Sequence, residues 1–330
     1  MKIYHLPIEP YETRYTADWI QQYENEFIKN NVDFETILGE TNSSKVTTGG
    51  VLDACGTHLF KFTQLCKIIS KIQSGEVKDN DVIFFADLWF PGLESLFYIR
   101  NMLNIKFKIM GIFHAGTYDK ADFTYRNHMR NWGKYLEASW FNEIDKIFVA
   151  TQFHKDLIIQ NSIDTKPERI IVTGLPFYAT DLRNKYLCTQ KEDIIVFPHR
   201  IDPEKHPELF DELLVYLKNN NINIKGIKTI VETKNRQEYF KLLAKSKLMI
   251  SFADQETFGY STLESMALNN IVIVPNKLSY VETVPDEYRY NTKEEAFKMV
   301  LDALLNYKET SYDLSKWEQS VFNMIKEMKQ

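Results

Sequence analysis

Glu256-Thr-Phe-Gly-Tyr-Ser-Thr-Leu-Glu264 places two carboxylates eight positions apart around what its flanks make a strand-to-helix turn. Lys247-Leu-Met-Ile-Ser-Phe-Ala253 before it is an apolar run of strand length, and Leu263, Met266 and Ala267 after it recur at helical spacing. The motif therefore opens a helix. Gly259 and Ser261 fall in its first turn, where backbone N–H groups and the helix dipole favour an anion and a glycine lets a phosphate come close. Glu264 lies more than one turn further in. One ligand reaches both carboxylates only if it is long, as a nucleotide is when a diphosphate joins it to a sugar.

The Glu-x7-Glu spacing, the following Ser265-Met-Ala267 and the buried strand Ile271-Val-Ile-Val-Pro275 resemble the C-terminal half of family-4-like retaining glycosyltransferases of the GT-B fold. Ile194-Ile-Val-Phe-Pro-His-Arg-Ile-Asp-Pro-Glu-Lys205 resembles the family's segment in which an arginine and a lysine clamp the donor pyrophosphate, and Val281-Glu-Thr-Val-Pro285 its Pro-Glu-containing turn. The motif resemblance covers roughly residues 194–290; the first 190 residues match only in outline. It implies two Rossmann-like, doubly wound α/β domains facing a cleft. It also implies transfer from a nucleotide sugar, UDP-linked in our reading, with retention of configuration and without a metal or other cofactor. Arg200 and Lys205 would hold the leaving diphosphate, the first as a two-pronged fork and the second as a point charge. Glu256 would bind donor-sugar hydroxyls and Glu264 the ribose, with Gly259, Tyr260, Ser261 and Thr262 forming the rest of the donor-binding turn. His114 in Ile112-Phe-His-Ala-Gly116 falls where the family keeps a donor-side histidine.

The chain also departs from that pattern. Leu6-Pro-Ile-Glu-Pro-Tyr-Glu-Thr-Arg-Tyr-Thr16 replaces the usual Gly-rich loop after the first strand, which makes Glu9, Glu12 and Arg14 candidate acceptor contacts. The same opening resembles glycosyltransferases of large DNA phages that decorate hydroxymethylated pyrimidines. Such DNA is therefore the first candidate acceptor, with a polysaccharide or lipid acceptor, or a sugar-nucleotide-binding protein without turnover, as alternatives. Asn269-Asn270 stands where a glycine usually ends the motif helix, and Asn tolerates the left-handed cap. Asp79-Asn-Asp81 spells a metal signature of another glycosyltransferase fold, but in a polar turn where these residues are expected anyway; no metal site is assigned to it.

Composition sets wider bounds. With 44% hydrophobic and 26% charged residues, the 330-residue chain has enough apolar surface for two ordinary domains. A net charge of −5 offers no strongly basic domain. Cys55, Cys66 and Cys188 are too few and scattered for a disulfide framework, which fits a reduced cytosol. Neither a signal-type leader nor an apolar run of membrane-spanning length is present, so a cytoplasmic protein without a membrane span is expected, in the host cytoplasm if phage-encoded. Oligomeric state is not legible.

Strands expected at 81–86, 107–113, 146–150 and 169–173 alternate with helices at 17–30 and 59–72, the pattern of a parallel sheet. A second series starts at Ile194: helix 206–218, strand 227–231, helix 236–246, then the Glu-bearing unit. We place the domains at 1–178, on the acceptor side, and 190–312, on the nucleotide-sugar side. The apolar spacing of Trp317, Val321, Met324 and Met328 predicts a last helix over 314–328, within a 313–330 segment that either crosses back to the first domain or closes its own. From Lys120 to Tyr135, Arg126, Arg130 and Lys134 recur every four residues beside Tyr125 and Trp132. One helix there would align three cations for a nucleic-acid backbone, and an exposed helix with a buried Trp is the competing reading.

Overall fold

Apolar runs such as Val82-Ile-Phe-Phe85 and Ile271-Val-Ile-Val-Pro275 are buried at every position, as strands covered by helices on both faces must be. The computed structural model describes residues 1–11, 15–41, 53–188 and 190–330. It divides into two compact units. The first comprises Met1–Ala150, His154–Pro176 and Val321–Gln330; the second comprises Thr151–Phe153 and Phe177–Ser320.

The first unit carries strands β1 (Lys2–Leu6), β2 (Asp33–Thr36), β3 (Val82–Phe85), β4 (Lys108–Ile112), β5 (Lys146–Val149) and β6 (Ile170–Val172). They form one parallel sheet in the order β2-β1-β3-β4-β5-β6. Helices α1 (Trp19–Lys29), α2 (Ala54–Gln73), α3 (Glu94–Leu103), α4 (Phe123–Arg126), α5 (Arg130–Glu143) and α6 (Gln152–Asn161) connect them. Trp19, Tyr23 and Phe27 recur every four residues on α1 and are buried. Asp53 starts α2 by accepting from the N–H groups of Cys55 and Gly56, both at 3.1 Å. The chain runs from β1 out to β2 and then back past β1 to β3. That reversal opens a crevice at the carboxyl ends of β1 and β3, where open α/β sheets bind ligands.

The second unit repeats the plan with β7 (Glu192–Phe197), β8 (Lys225–Lys228), β9 (Ser246–Ile250), β10 (Ile271–Pro275) and β11 (Arg289–Tyr290), parallel in the order β11-β10-β9-β7-β8. Its helices are α7 (Ala179–Tyr186), α8 (Pro207–Asn219), α9 (Thr229–Glu232), α10 (Arg236–Lys245), α11 (Tyr260–Ala267), α12 (Tyr280–Thr283), α13 (Lys293–Leu305) and α14 (Ser315–Glu318). Here the reversal lies between β7 and β9. The two-sheet α/β plan agrees with the fold class expected from sequence.

Three local expectations fail. The strand expected at 227–231 is β8, ending at Lys228; Ile230 and Val231 lie on the helical turn α9, exposed, so their apolar character did not signal a core. The last helix is interrupted at Gln319, giving α14 and α15 (Ser320–Met328), a break that apolar spacing alone does not register. No single helix spans 120–135: His128, at φ +59°, separates α4 from α5. Arg126, Arg130 and Lys134 therefore do not share one helix face.

Candidate functional site

In the second unit, β7 delivers Arg200 and Lys205, and β9 delivers Glu256, to the two sides of the sheet's reversal. Lys205 closes the short turn Pro203–Lys205 and is only 5% exposed. Its Nζ donates to the Gln255 carbonyl and lies 3.5 Å from Glu256 Oε2. The other Glu256 oxygen, Oε1, accepts the Gly259 N–H at 3.0 Å. Gly259 takes φ +86° just before α11, a conformation that L side chains rarely adopt. A buried ammonium, a carboxylate and a helix mouth are thus drawn together.

The remaining predicted donor contacts divide. Tyr260 and Ser261 are half-buried at the mouth of α11, whereas Thr262 is fully buried and withdrawn from any ligand there. Arg200 is exposed and pairs within its own loop, with Asp202 at 3.1 Å and Glu204 at 3.7 Å. An incoming phosphate must compete with both carboxylates for it. Glu264 is 3% exposed, and both its oxygens are engaged, Oε1 by Arg236 at 2.5 Å and Oε2 by the Tyr239 hydroxyl at 3.0 Å. Burial, reinforced by the Glu264 charge, pushes the Tyr239 hydroxyl well above its ordinary range. Sequence reasoning missed Arg236 and Tyr239. Their spacing on α10 puts them on one face, but nothing local ties that face to a residue 28 positions away.

His199, next to Arg200, was also missed. Burial, then the charges of Lys205 and Arg200, hold its ring well below its usual pKa, so it is neutral at pH 7. His206 behaves oppositely. Its hydrogen bond to Asp254, at 2.6 Å, and that to Glu208, at 2.8 Å, outweigh burial and raise it above 6.5. The stability this pairing contributes is complete below about pH 6.5 and is lost as pH rises through the raised folded-state value. His206→Gln should therefore remove about 0.2–1 kcal/mol of the difference in unfolding free energy between pH 6 and pH 8, the scale of a part-exposed pair. Urea titrations at the two pH values check this; an undiminished difference in the variant would contradict it.

In the first unit, His114 follows β4 and is half-buried, with its ring 5.3 Å from that of Trp19. Its Nε2 lies 2.7 Å from the Ala86 carbonyl. Burial favours the neutral ring and lowers its pKa, outweighing the neighbouring Asp87, which acts to raise it. Glu9 is 1% exposed, and its Oε2 accepts from the hydroxyls of Tyr11 and Thr57, both at 3.0 Å. It braces the loop after β1 and is too buried for the acceptor contact expected of it. Glu12 and Arg14 lie outside the described residues. Arg130 donates to the carbonyls of Thr117, at 2.7 Å, and Asn161, at 3.2 Å, so it ties α5 down rather than waiting for phosphate. Arg126 is exposed at the end of α4, and Lys134 lies over the Tyr135 ring at 4.9 Å. Asp79 and Asp81 spend carboxylate oxygens on the backbone N–H groups of Lys106, Lys2 and Lys78. Among the described residues, no helix is long and apolar enough to cross a membrane.

The two parallel α/β sheets, one in each unit, match the fold of GT-B glycosyltransferases. No protein-family model matches the chain. Pneumococcal O-GlcNAc transferase, solved with UDP and GlcNAc, superposes with a TM-score of 0.63 at 9% identity, covering 100% of this chain and 98% of that one. Sucrose-phosphate synthase from Thermosynechococcus elongatus gives 0.61 at 12%, covering 99% and 93%. By sequence, the tRNA-queuosine alpha-mannosyltransferase of Drosophila melanogaster is 31% identical over 121 residues, 30% of this chain and 32% of that protein. The match thus spans about a third of that relative's length. The relatives found by sequence and by structure are glycosyltransferases.

Proposed function

We propose that the protein is a retaining glycosyltransferase that moves a sugar from a nucleoside diphosphate to a hydroxyl of a modified nucleoside in nucleic acid, without a metal. The observation that carries the donor half is the Lys205 ammonium, buried against Glu256 beside the mouth of α11. As the anomeric carbon's bond to the β-phosphate oxygen breaks and its bond to the acceptor oxygen forms on the same face, negative charge grows on the leaving diphosphate, whose oxygen then takes the acceptor hydroxyl's proton. A fixed cation and a helix mouth already aimed there stabilise that charge without reorganising. The structural relative solved with UDP supports this reading of the donor. The acceptor half is supported by the mannosyltransferase likeness, whose named substrate is a modified tRNA nucleoside. Hydroxymethylated pyrimidine in DNA presents a comparable hydroxyl and remains the second acceptor to be assayed.

Calorimetry with UDP and GDP, with and without EDTA, tests the donor. Binding in the micromolar to millimolar range, unchanged by EDTA, is expected. No binding, or binding only with a divalent metal, would sink the proposal. Glu256→Gln should weaken the intact nucleotide sugar while leaving nucleoside diphosphate affinity nearly unchanged, with turnover down by about 100-fold. Labelled-sugar transfer to queuosine-containing tRNA and to hydroxymethylated DNA, with the product's anomeric configuration read by NMR, tests acceptor and stereochemistry. Transfer to a lipid or oligosaccharide instead would overturn the acceptor half.

A further inference from the structure

Within the second unit, the turn that ends at Lys205 and the loop that carries Glu256 are joined by contacts running from the interior outward. Innermost is the buried lysine, which donates to the Gln255 carbonyl and faces Glu256. Next comes a backbone bond, from the Asp254 N–H to the Glu204 carbonyl at 2.8 Å. Outermost are the side chains one residue beyond, His206 and Asp254, with the ring Nε2 2.6 Å from Asp254 Oδ2. Lys277, after β10, donates to the other oxygen, Oδ1. Neither the motif resemblance nor the relatives give His206 or Asp254 a role.

The two bonds of the ring fix its protonation. Nδ1 lies 2.8 Å from Glu208 Oε1, so each ring nitrogen faces a carboxylate oxygen. Burial would raise the Asp254 carboxyl, but Lys277 and His206 outweigh it and hold it below the usual range; the Glu208 carboxyl is held down by its own backbone N–H and then by His206. Both carboxylates are therefore ionised at pH 6 and can only accept, so both nitrogens must donate, which only the imidazolium does. A neutral ring has one N–H and would turn a lone pair on one of the two carboxylates. His206 makes these bonds with its backbone in the left-handed region, at φ +53°, a conformation that glycine adopts without steric cost. The bonds offset that strain.

Besides these two carboxylates, the pocket that His206 lines is faced by Lys277, by Tyr290 of β11 and by Lys293 of α13, the last paired with Glu212 at 3.0 Å. Glu204 and Lys205 precede the ring on its own loop, and Lys228 of β8, which acts on Glu208, is paired with Asp211 at 2.7 Å. Burial, then the Asp254 charge, pushes the Tyr290 hydroxyl far above its ordinary range. Histidine is the side chain among them whose ordinary titration falls between pH 6 and pH 8. A diphosphate arriving at Lys205 draws charge away from Gln255 and Glu256 and so loosens the inner contact as the site fills. The His206 ring, engaged by two carboxylates, keeps the outer one.

We propose that His206 is a positioning residue of the donor site: as an imidazolium it holds the Lys205 turn against the Glu256 loop, and loss of its second proton loosens both around the donor's diphosphate. The link to a donor rests on the glycosyltransferase reading, whereas the tie between the loops stands apart from it.

The test uses the full chain, the wild type beside His206→Gln, which does not titrate, and His206→Gly, which keeps the left-handed turn without the ring. The first readout needs no ligand. In the wild type, the imidazole 15N resonances of His206, assigned with His206→Gln, should show both nitrogens protonated at pH 6 and one proton lost at higher pH. The amide resonance of Gly259, whose N–H meets Glu256, should move with the same midpoint, and should stay still over that range in both variants. The second readout is calorimetry with UDP-glucose and GDP-mannose, whose esterified diphosphates do not titrate between pH 6 and pH 8. The wild type should bind the tighter of the two about two- to fivefold more weakly at pH 8 than at pH 6, the scale of a part-exposed ion pair. The variants should show the weaker affinity at both pH values. A merely structural role would lower the unfolding midpoint and leave these readouts of the folded protein unmoved. A ring already neutral at pH 6, a Gly259 amide indifferent to the His206 titration, or variants that keep the wild-type affinity and its pH dependence would overturn the proposal. Failure of wild-type protein to bind UDP, GDP or either nucleotide sugar at pH 6 would instead overturn the donor reading, and the Gly259 titration would still decide whether His206 ties the loops.

Discussion

Lys205→Met is expected to lower the turnover of sugar transfer by roughly 10²–10³-fold, the cost of losing one preorganised group at a developing oxyanion. The lysine's position makes the effect large. Its side chain is 7% exposed, so little water stands ready to replace the charge, and the neighbouring Glu256 loses its ammonium partner while keeping its bond to the Gly259 N–H. Because the diphosphate carries more charge at the transition state than in the bound donor, kcat should fall further than affinity for the intact nucleotide sugar does. Lys205→Arg restores the charge but not the compact fit beside Gln255, and should recover part of the rate. Steady-state kinetics with calorimetry on the same samples checks this. Equal losses in binding and turnover would show that Lys205 holds the ground state only.

Glu264→Leu should be the most damaging single change to the second unit. It strands the Arg236 guanidinium, whose side chain is 20% exposed and lies over the Phe240 ring at 4.5 Å, and it removes the acceptor of the Tyr239 hydroxyl. Breaking such a pair from one side costs about 3–5 kcal/mol, whereas removing both partners is often close to neutral. At about 2–4 °C per kcal/mol, the unfolding midpoint should drop by roughly 6–20 °C. Glu264→Leu/Arg236→Leu should recover most of it. Glu264→Gln keeps the size but lowers the charge, and should weaken nucleoside diphosphate and intact donor alike, unlike Glu256→Gln. Thermal unfolding of the three variants decides the first point and calorimetry the second; full stability in Glu264→Leu would refute the account.

The strands were legible because a sheet covered on both faces writes itself as consecutive Val, Ile, Leu and Phe, as in Val82–Phe85 and Ile271–Pro275. The turn at Gly259 was legible because a strand, a glycine and a helical pattern meet within a few residues. What escaped lies in side-chain meetings between distant segments. Lys61 with Asp87 and Arg236 with Glu264 leave no local trace, since charged residues on helices are usually solvated. The every-fourth-residue cations misled for a related reason. Periodicity assumes an unbroken helix, and His128 in the left-handed region breaks this one, while Arg130 is spent on backbone carbonyls. Asn269, by contrast, takes the left-handed conformation expected of it at the end of the motif helix, with φ +59°.

The first unit takes its last ten residues, Val321–Gln330, from beyond the second. Val321, Met324, Ile325 and Met328 are buried; Met324 Sδ accepts from the Tyr23 hydroxyl at 3.6 Å, and Lys146 reaches Glu327 at 2.8 Å. During synthesis, β1 to β6 leave the ribosome long before the segment that covers Tyr23 and α1. The nascent first unit must therefore hold an apolar surface open while the whole second unit is translated. Through that interval the unit carries uncovered apolar surface of the kind that makes incompletely folded chains prone to aggregate.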